Sequence, residues 1–475
     1  MSTFSGLNTA LTGLNAARQG LDVVGQNIAN SSTSGYTRQR VSTAAAGSVA
    51  QIGPLVLSQA QVGQGVIVDG IARLGDAILD GRVRSSAATS GNLAVRSNAL
   101  STVEASLNEP STSGISAQLH AFWSAWGDVS NRAGEEAPAG VLLQKAAQLA
   151  GQIATGYTAV DSAWTDVRTK LNGMATELND AGTRVAVLNG QIRGTLATGG
   201  SVNELLDQRA ALTSSIAALT GGTVRTLPDG TAEVLVGGNA LVSGDVFRAV
   251  TVTGSNSLAG ANGSSVALEW TNRPGQSVAV ESGEIAGSIS MLAAANGTGT
   301  GGSIAEAAAG FNNFATSLVN TVNTAHRAGS TPAGTTGLDF FAISASGPAA
   351  LGVSVVPTGA AQIATGTPGA GGKDGSNASA IAQLGSSADS PDSVWSAFVT
   401  KVGTASKTTL QQATLADSIT RAATAAQFAN SSVDLDEENV NMLTFQKSYQ
   451  GAARVMTAVD EMLDTLINRT GIVGR

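Results

Sequence analysis

The chain has 475 residues, more than one hydrophobic core usually supports, so about two to four domains are expected. Its net charge of −8 argues against nucleic acid as a partner, because phosphate binding needs a basic surface. The sequence contains no cysteine, which excludes disulfides, thiolate metal sites and cysteine nucleophiles.

The first predicted element is a helix that begins between Ser2 and Ser5 and ends near Asn30. Three internal glycines, among them Gly20 and Gly25, each cost about 1 kcal/mol relative to alanine, so we expect the helix to become ordered only on assembly. Its apolar residues alternate in steps of three and four, as in a coiled-coil seam, and they are Leu7, Ala10, Leu14, Ala17, Leu21, Val24 and Ile28.

An extended arm is predicted after Gly35, with further extended stretches at Pro54–Ser58 and Gly65–Asp69. The first residues lack the basic region and unbroken apolar core of a secretory signal peptide. No run approaches the roughly twenty apolar residues of a membrane helix. These features indicate either a cytoplasmic protein or one exported by a route without a cleaved signal.

The centre of the chain has the periodicity of long helices. The helix predicted at Val141–Leu196 would be roughly 80 Å long at about 1.5 Å per residue, which predicts a rod-like helical domain. The predicted helices span Asp76–Leu107, Ile115–Asn131, Val141–Leu196 and Val202–Leu219.

Residues 221–283 differ in character, because short β-branched runs alternate with Pro-Asp-Gly and Gly-Gly turns. We predict a small β domain inserted into the helical one, with a last strand at Ser277–Val280. Helical patterns return over Gly283–His326, with a glycine-rich break at Gly297–Gly302, and over Ser390–Phe428. Between these helices, residues 330–375 are rich in glycine and proline and predict variable loops with short strands.

A second seam lies at the C-terminus and comprises Leu435, Met442, Phe445, Tyr449, Ala452, Met456, Val459, Leu463 and Leu466. Because single helices are unstable in water, we expect the two seams to be buried against each other or against other copies. The predicted fold is α+β and multidomain, with long terminal coiled-coil helices and a helical rod-like domain that carries the β insertion. The predicted domains are a terminal assembly domain (1–75 with 431–475), a helical domain (76–220 with 284–329 and 376–430), the β domain (221–283) and a variable region (330–375).

Histidines offer little catalytic potential in this sequence. His120 and His326 each lie in an ordinary helical pattern without a nucleophile motif nearby, and we interpret both as structural. The stretch TPGAGGKDG resembles a phosphate loop, but Thr367 and Asp374 stand where that motif needs glycine and serine or threonine.

Acidic residues before the C-terminal seam imitate the start of a calcium-binding loop. Asp434, Asp436 and Glu438 have the right spacing, but Asn439 and Phe445 replace the glycine and glutamate that the loop requires. We interpret the acids as a helix cap and first turn. The sequence therefore predicts no catalytic, metal-binding or cofactor-binding residue and no enzyme.

Both ends of the chain resemble bacterial flagellar axial proteins, the family of rod, hook and hook-associated proteins. The N-terminal likeness runs from Ala10 to Val41 and rests on Asn27, Ile28, Ala29, Asn30, Thr33, Gly35, Tyr36 and Arg38. The C-terminal likeness rests on Glu438, Phe445, Gln446, Tyr449, Ala453, Arg454, Asp460, Glu461, Met462 and Leu463.

Three internal stretches, which begin at Leu107, Val202 and Leu318, resemble the hook-associated protein 1 family, found at the junction of hook and filament. The resemblance implies a structural protein of the extracellular flagellum, exported without a cleaved signal peptide. Its implied partners are copies of itself, the hook protein, the next hook-associated protein and an export chaperone on the C-terminal helix, with no cofactor, nucleic acid or membrane insertion.

We expect the two terminal seams and the turn after the first helix to mediate assembly. Two alternatives stay open: a hook or distal-rod protein of the same axial family, and an enzyme or secreted binding module carried by the β insertion. The predicted assembly interface comprises Leu7, Leu14, Leu21, Val24, Asn27, Ile28, Asn30, Gly35, Tyr36, Arg38, Met442, Phe445, Tyr449, Met456, Val459, Leu463 and Leu466.

Overall fold

Helices make up most of the chain, with small antiparallel sheets between them, which confirms the predicted α+β class. The computed structural model describes residues 3–47 and 63–469, and the arm segment predicted at Pro54–Ser58 lies outside them. The helices are α1 (Thr3–Ala29), α2 (Ala77–Leu107), α3 (Ile115–Asn131), α4 (Glu136–Ala197), α5 (Asn203–Thr220), α6 (Gly283–Leu292), α7 (Ser303–Ala328), α8 (Ala349–Gly352), α9 (Ser376–Ala382), α10 (Pro391–Ser431) and α11 (Leu435–Asp464). The strands are β1 (Gln39–Ala45), β2 (Val66–Arg73), β3 (Thr223–Thr226), β4 (Ala232–Val236), β5 (Asn239–Ser243), β6 (Val246–Phe247), β7 (Val250–Thr253), β8 (Ala267–Trp270), β9 (Phe341–Ile343) and β10 (Val353–Val355).

The first and last long helices, α1 and α11, pack against each other in antiparallel directions. Gly6 lies beside Val459, and Gly20, two heptads later in α1, lies beside Phe445, two heptads earlier in α11. The antiparallel hairpin of β1 and β2 packs on α1. We call α1, β1, β2 and α11 the terminal unit, and the remaining elements the helical body.

The axis of the helical body is α4, which has 62 residues and spans about 90 Å at about 1.5 Å per residue. It begins at Glu136, five residues before the predicted start, because Pro138 falls in the first turn, where its missing N–H breaks no helical hydrogen bond. Trp164, Leu171 and Leu178 are completely buried along its length.

The two helices α2 and α10 lie side by side, and their ends follow from capping residues. At the start of α2 the Asp76 carboxylate accepts hydrogen bonds from two backbone N–H groups, and Asn108 in a left-handed conformation ends the helix. The Ser390 hydroxyl caps α10, with Pro391 in its first turn.

The β insertion contains a four-stranded antiparallel sheet, in the order β3-β4-β5-β6, and a separate β7–β8 pair. Its apolar side chains pack in the same core as α4, through residues such as Val234 and Leu241. The strand predicted at Ser277–Val280 is wrong. That segment pairs with Glu269 of β8 at a single bridge through Ser277, because the chain then turns into α6 at Gly283.

Asparagines on helices, three of them buried and Asn179 partly buried, fix where several strands begin. In each case the side-chain amide donates to the carbonyl oxygen of a strand's first residue and accepts from the N–H of that same residue. The helix thereby supplies the hydrogen bonds that a neighbouring strand would otherwise make. The pairs are Asn27 with Gln39 of β1, Asn179 with Val250 of β7, Asn189 with Ala232 of β4, and Asn323 with Phe341 of β9.

Residues 330–375 hold β9, β10 and the short α8 among loops. They pack on α7 and α4, and Phe340 and Ile363 are completely buried there. Within residues 3–47 and 63–469, no helix has a stretch both long enough and apolar enough to cross a bilayer.

Candidate assembly interface

A line of mostly small residues on α1 faces α11. It includes Ala10, Ala17 and Val24 of the predicted seam, and its glycines each lie one position before a predicted leucine. A Cβ added to Gly20 would lie 2.5 Å from the Phe445 ring, whereas Gly25 has open space around it. Gly20 is therefore a packing position that lets the Phe445 ring approach α1, not only a weak point of the helix, whereas a Cβ at Gly6 or Gly13 would make ordinary contacts. The line comprises Gly6, Ala10, Gly13, Ala17, Gly20, Val24 and Asn27.

The residues that the sequence assigns to the seam occupy three kinds of place in the structure. Val24 and Val459 are buried between the helices, whereas Tyr449 and Leu466 are exposed. Phe445 packs against Gly20 between the helices, whereas the leucines of α1 border the contact instead of filling its centre. The half-buried members are Leu7, Leu14, Leu21, Ile28, Met442, Phe445, Met456 and Leu463.

A second apolar face runs along α11 on the side away from α1. Val440, Leu443, Val455 and Met462 fall on one side of the helix at about 3.6 residues per turn, and each is more than half exposed. We call these four residues the outer face. Large exposed apolar side chains that share one helix face are characteristic of interaction surfaces.

A polar hub closes the end of the helix pair around Asn27, which is buried. Its amide nitrogen donates to the Glu438 carboxylate at 3.0 Å, and its amide oxygen accepts from the Tyr36 hydroxyl at 2.8 Å. With the two bonds to Gln39, every hydrogen-bonding position of this amide is used. The turn that carries Tyr36 is therefore fixed to both terminal helices.

Arg38 joins the hub to the start of α11. Its guanidinium contacts Glu438 at 2.7 Å and both carboxylate oxygens of Glu437, at 2.7 and 2.9 Å. The bond to Glu437 raises the pKa of Arg38 and lowers that of Glu437. Burial, followed by the nearby carboxylates, raises the pKa of Tyr36 to about 12, so its hydroxyl stays a donor at any physiological pH.

The turn between α1 and β1 accounts for two other predicted residues. The Asn30 amide donates to the Gln26 carbonyl oxygen and accepts from the Thr33 hydroxyl. Gly35 has φ +81, which other residues rarely adopt, so glycine is required there.

Sequence reasoning missed two parts of the site. Glu438 is buried, and its carboxylate accepts hydrogen bonds from Arg38 and Asn27, although the sequence indicates only an acidic residue in the first helical turn. Asn203 and Asp207 at the start of α5 bind the terminal unit, although their stretch was noted only for its resemblance. Asp434 does cap α11, as predicted.

Other polar groups that could suggest chemistry are committed to structural bonds. His326 is completely buried; its Nδ1 lies 2.7 Å from the Leu338 carbonyl oxygen, and its Nε2 accepts from the Ala364 N–H. Asp374 in the glycine-rich loop accepts from the N–H and hydroxyl groups of Thr367 and Ser376. Among the described residues, no three histidine, aspartate or glutamate side chains are grouped so that they could hold a metal ion.

Comparison with known proteins identifies matches over the whole chain. The family model of the flagellar hook-associated protein FlgK helical domain matches residues 100–341. The ends match models of wider families: the flagella basal body rod protein at residues 7–37, and the C-terminal part of the flagellar basal body rod FlgEFG proteins at residues 428–469.

Individual relatives agree with these matches. The chain is 29% identical to flagellar hook-associated protein 1 of Bacillus subtilis over the full length of both proteins, and 27% identical to that of Escherichia coli over 71% of this chain and 60% of the relative. The solved structure of the flagellar hook junction protein FlgK from Burkholderia pseudomallei shares the fold, with a TM-score of 0.63 and 14% identity, over 73% of this chain and 99% of that one. The chain therefore belongs to the flagellar hook-associated protein FlgK family.

Proposed function

We propose that this protein is a structural subunit of the hook-filament junction and that it polymerises through its terminal unit. The observation that carries the proposal is that α11 has two apolar faces. One is packed on α1 within the chain, and the outer face of Val440, Leu443, Val455 and Met462 is exposed to solvent.

The occupant that we propose for the outer face is the terminal unit of a second copy. A helix pair of this kind can repeat its contact with the next subunit, and contacts that do not close onto one molecule build a helical layer. The half-buried leucines at the border of the α1–α11 contact, such as Leu14 and Leu21, would extend the same interface on α1.

Further partners follow from the resemblance and the relatives. The layer would contact the hook protein on one side and the next hook-associated protein on the other. Before export, an export chaperone on α11 would cover the outer face, which keeps it from premature association. The proposed location is the extracellular flagellum, reached without a cleaved signal peptide.

The rival readings have weaker support. The match to the hook-associated helical domain over residues 100–341 favours the junction over a hook or distal-rod protein, since the rod-family models match only the two ends. We also propose that the protein is not an enzyme and that the β insertion carries no separate binding module. The polar side chains buried beneath the insertion, Asn189 of α4 and Arg209 of α5, are bound to each other and to the insertion's own backbone at Ala232 and Gly230.

Deleting Leu435–Arg475 tests the proposal in cells that lack the chromosomal copy. We expect the shortened protein to keep a cooperative thermal transition, because the helical body has its own core, but to be absent from flagella seen by electron microscopy. Restoring the full-length chain in the same strain is the control. Normal motility with the deletion would refute the proposal.

The weakness of the isolated terminal helices predicts that both ends lack structure before assembly, whereas the structure pairs α1 with α11 within one chain. Circular dichroism and limited proteolysis of the purified monomer decide between these states. Cleavage within both terminal helices at low protease would support loose ends, and protection of both would show that the pair forms before assembly.

A further inference from the structure

The terminal unit touches the helical body over a small area. Within the described residues, no helix or strand of the terminal unit packs along an element of the helical body. The chain itself crosses between the two parts twice, after β2 at Leu74 and after α10 at Ser432. Two parts joined in this way are free to move relative to each other unless something else holds them.

Most side-chain bonds between the two parts come from the first turns of α5, beside one backbone bond from the Arg38 N–H to the Ser431 carbonyl oxygen at the end of α10. Asp207 accepts from the Thr37 N–H at 3.0 Å and from the Arg73 guanidinium at 2.6 Å. Asn203 donates to the Gln39 side chain and to the Ile71 carbonyl oxygen, both at 3.0 Å. We call Asn203 and Asp207 the α5 clasp.

Open space lies on both sides of this contact. A cleft of about 700 Å³ between α1, β2 and the α4–α5 turn borders Asn203. A second cleft of about 440 Å³, between the Asn30–Thr37 turn, α2 and the end of α10, borders Asp207. The clasp is therefore a narrow polar bridge between two spaces into which the terminal unit could swing.

The bonds of the clasp are of a kind that can open and reform. Water can replace each hydrogen bond when the parts separate, whereas a broad apolar contact would lose its packing without compensation. The Arg73–Asp207 pair is partly shielded, with side chains 20% and 10% exposed, which makes it stronger than a surface pair.

We infer that the α5 clasp sets the angle between the terminal unit and the helical body, and that its release lets the terminal unit pivot at Leu74 and Ser432. Asn203 and Asp207 are positioning residues in this account. The consequence for a polymer rests on the proposed function: subunits with a fixed angle fit one lattice, and subunits that pivot do not. The angle itself is a property of the single chain.

Distances in the purified monomer test the inference directly. Because the chain lacks cysteine, Ser448→Cys on α11 and Ser162→Cys on α4 provide two unique sites for spin labels, both at exposed positions. Double electron–electron resonance then reports the distance distribution between the two parts. We expect one narrow peak for the labelled chain with an intact clasp.

Variants of the clasp should broaden or shift that peak. Asp207→Ala removes both bonds of the carboxylate, Asn203→Ala removes those of the amide, and Asp207→Asn keeps an acceptor for Thr37, so its effect should be intermediate. The matched control is Asp245→Ala, which breaks an ion pair with Arg193 in the helical body and should leave the peak unchanged.

Two results would overturn the inference: an unchanged narrow peak in both alanine variants, or a broad distribution in the chain with an intact clasp. Far-ultraviolet circular dichroism of each variant shows whether it has folded. If Asp207→Ala loses helix, the distance distribution of Asn203→Ala alone tests the inference. These distances are measured on monomers, whereas the proposed function is tested by incorporation into flagella. The inference about the α5 clasp can therefore be disproved while the proposed function stands, and the proposed function can be disproved while the inference stands.

Discussion

The helical body and the terminal unit both rest on long helices, but they bury them to very different extents. Along α4, large side chains such as Trp164 and Leu178 are wholly enclosed. Along α11, only Glu438 and Val459 are buried among the described side chains. The α1 side of the α1–α11 contact consists largely of glycine and alanine, which bring few apolar atoms to it.

This difference shows which part of the chain is complete by itself. The helical body has a continuous core that the α5, α6 and β-insertion residues all join, such as Ile216 and Val234. The terminal unit has a polar hub that fixes its geometry, but much of its apolar surface remains in water. We therefore expect damage to the body to unfold the protein, and damage to the terminal unit to spare the fold and affect assembly.

The largest expected effect is a loss of stability on removing an asparagine that binds the first residue of a strand. The helical body and the terminal unit both contain such an asparagine, so the same substitution can be compared in each. Asn189→Ala removes the side-chain partner of the Ala232 N–H and carbonyl groups and of the Gly244 carbonyl oxygen, while Arg209 keeps its bond to Gly230. Each buried group left unsatisfied costs about 1–3 kcal/mol. We expect a global loss of stability in denaturant titration. Asn27→Ala, the matched change in the terminal unit, should leave the main transition in place and increase hydrogen exchange only near α1 and β1.

Two glycines of α1 provide a sharper comparison within one helix. Gly20→Ala must displace the Phe445 ring, which costs about 1–3 kcal/mol by overpacking. Gly25→Ala meets open space and should stabilise the helix by about 1 kcal/mol. Thermal unfolding of the terminal helices, followed by hydrogen exchange, checks the signs; the same sign for both variants would contradict the glycine-line packing.

The smallest effect concerns pH and the helical body. Burial lowers the pKa of His326 below 6.5, so the unfolded chain takes up a proton more readily than the folded one. Stability from this group is complete above about pH 6.5 and decreases as the pH falls below it. Denaturant titrations at several pH values should lose this component in His326→Gln and keep it in His120→Gln, which alters an exposed histidine.

Helix positions could be predicted from the sequence because periodicity and capping are local signals. The predicted helix Ile115–Asn131 has the same ends as α3, and the predicted starts Asp76 and Ser390 are the capping residues of α2 and α10. The strand at Ser277–Val280 could not be judged locally, because a β-branched composition does not show whether a neighbour supplies hydrogen bonds.

The candidate site was predictable in its location but not in its detailed packing. A search for large apolar residues on α1 selects Leu14 and Leu21, whereas Phe445 of α11 packs against Gly20, where a Cβ would leave no room for the ring. The α5 clasp could not be predicted either: Asp207 meets Thr37 across 170 positions of sequence, which no local pattern encodes.

The most direct test of the central claim compares the two faces of α11 in one assay. Val455→Ser with Met462→Ser alters the outer face, and Met456→Ser alters the half-buried face toward α1. We predict that the outer-face variant is secreted with the thermal midpoint of the unaltered protein yet is missing from flagella, and that cells carrying it are non-motile. Flagella that incorporate the outer-face variant at normal levels would contradict assembly through the terminal unit.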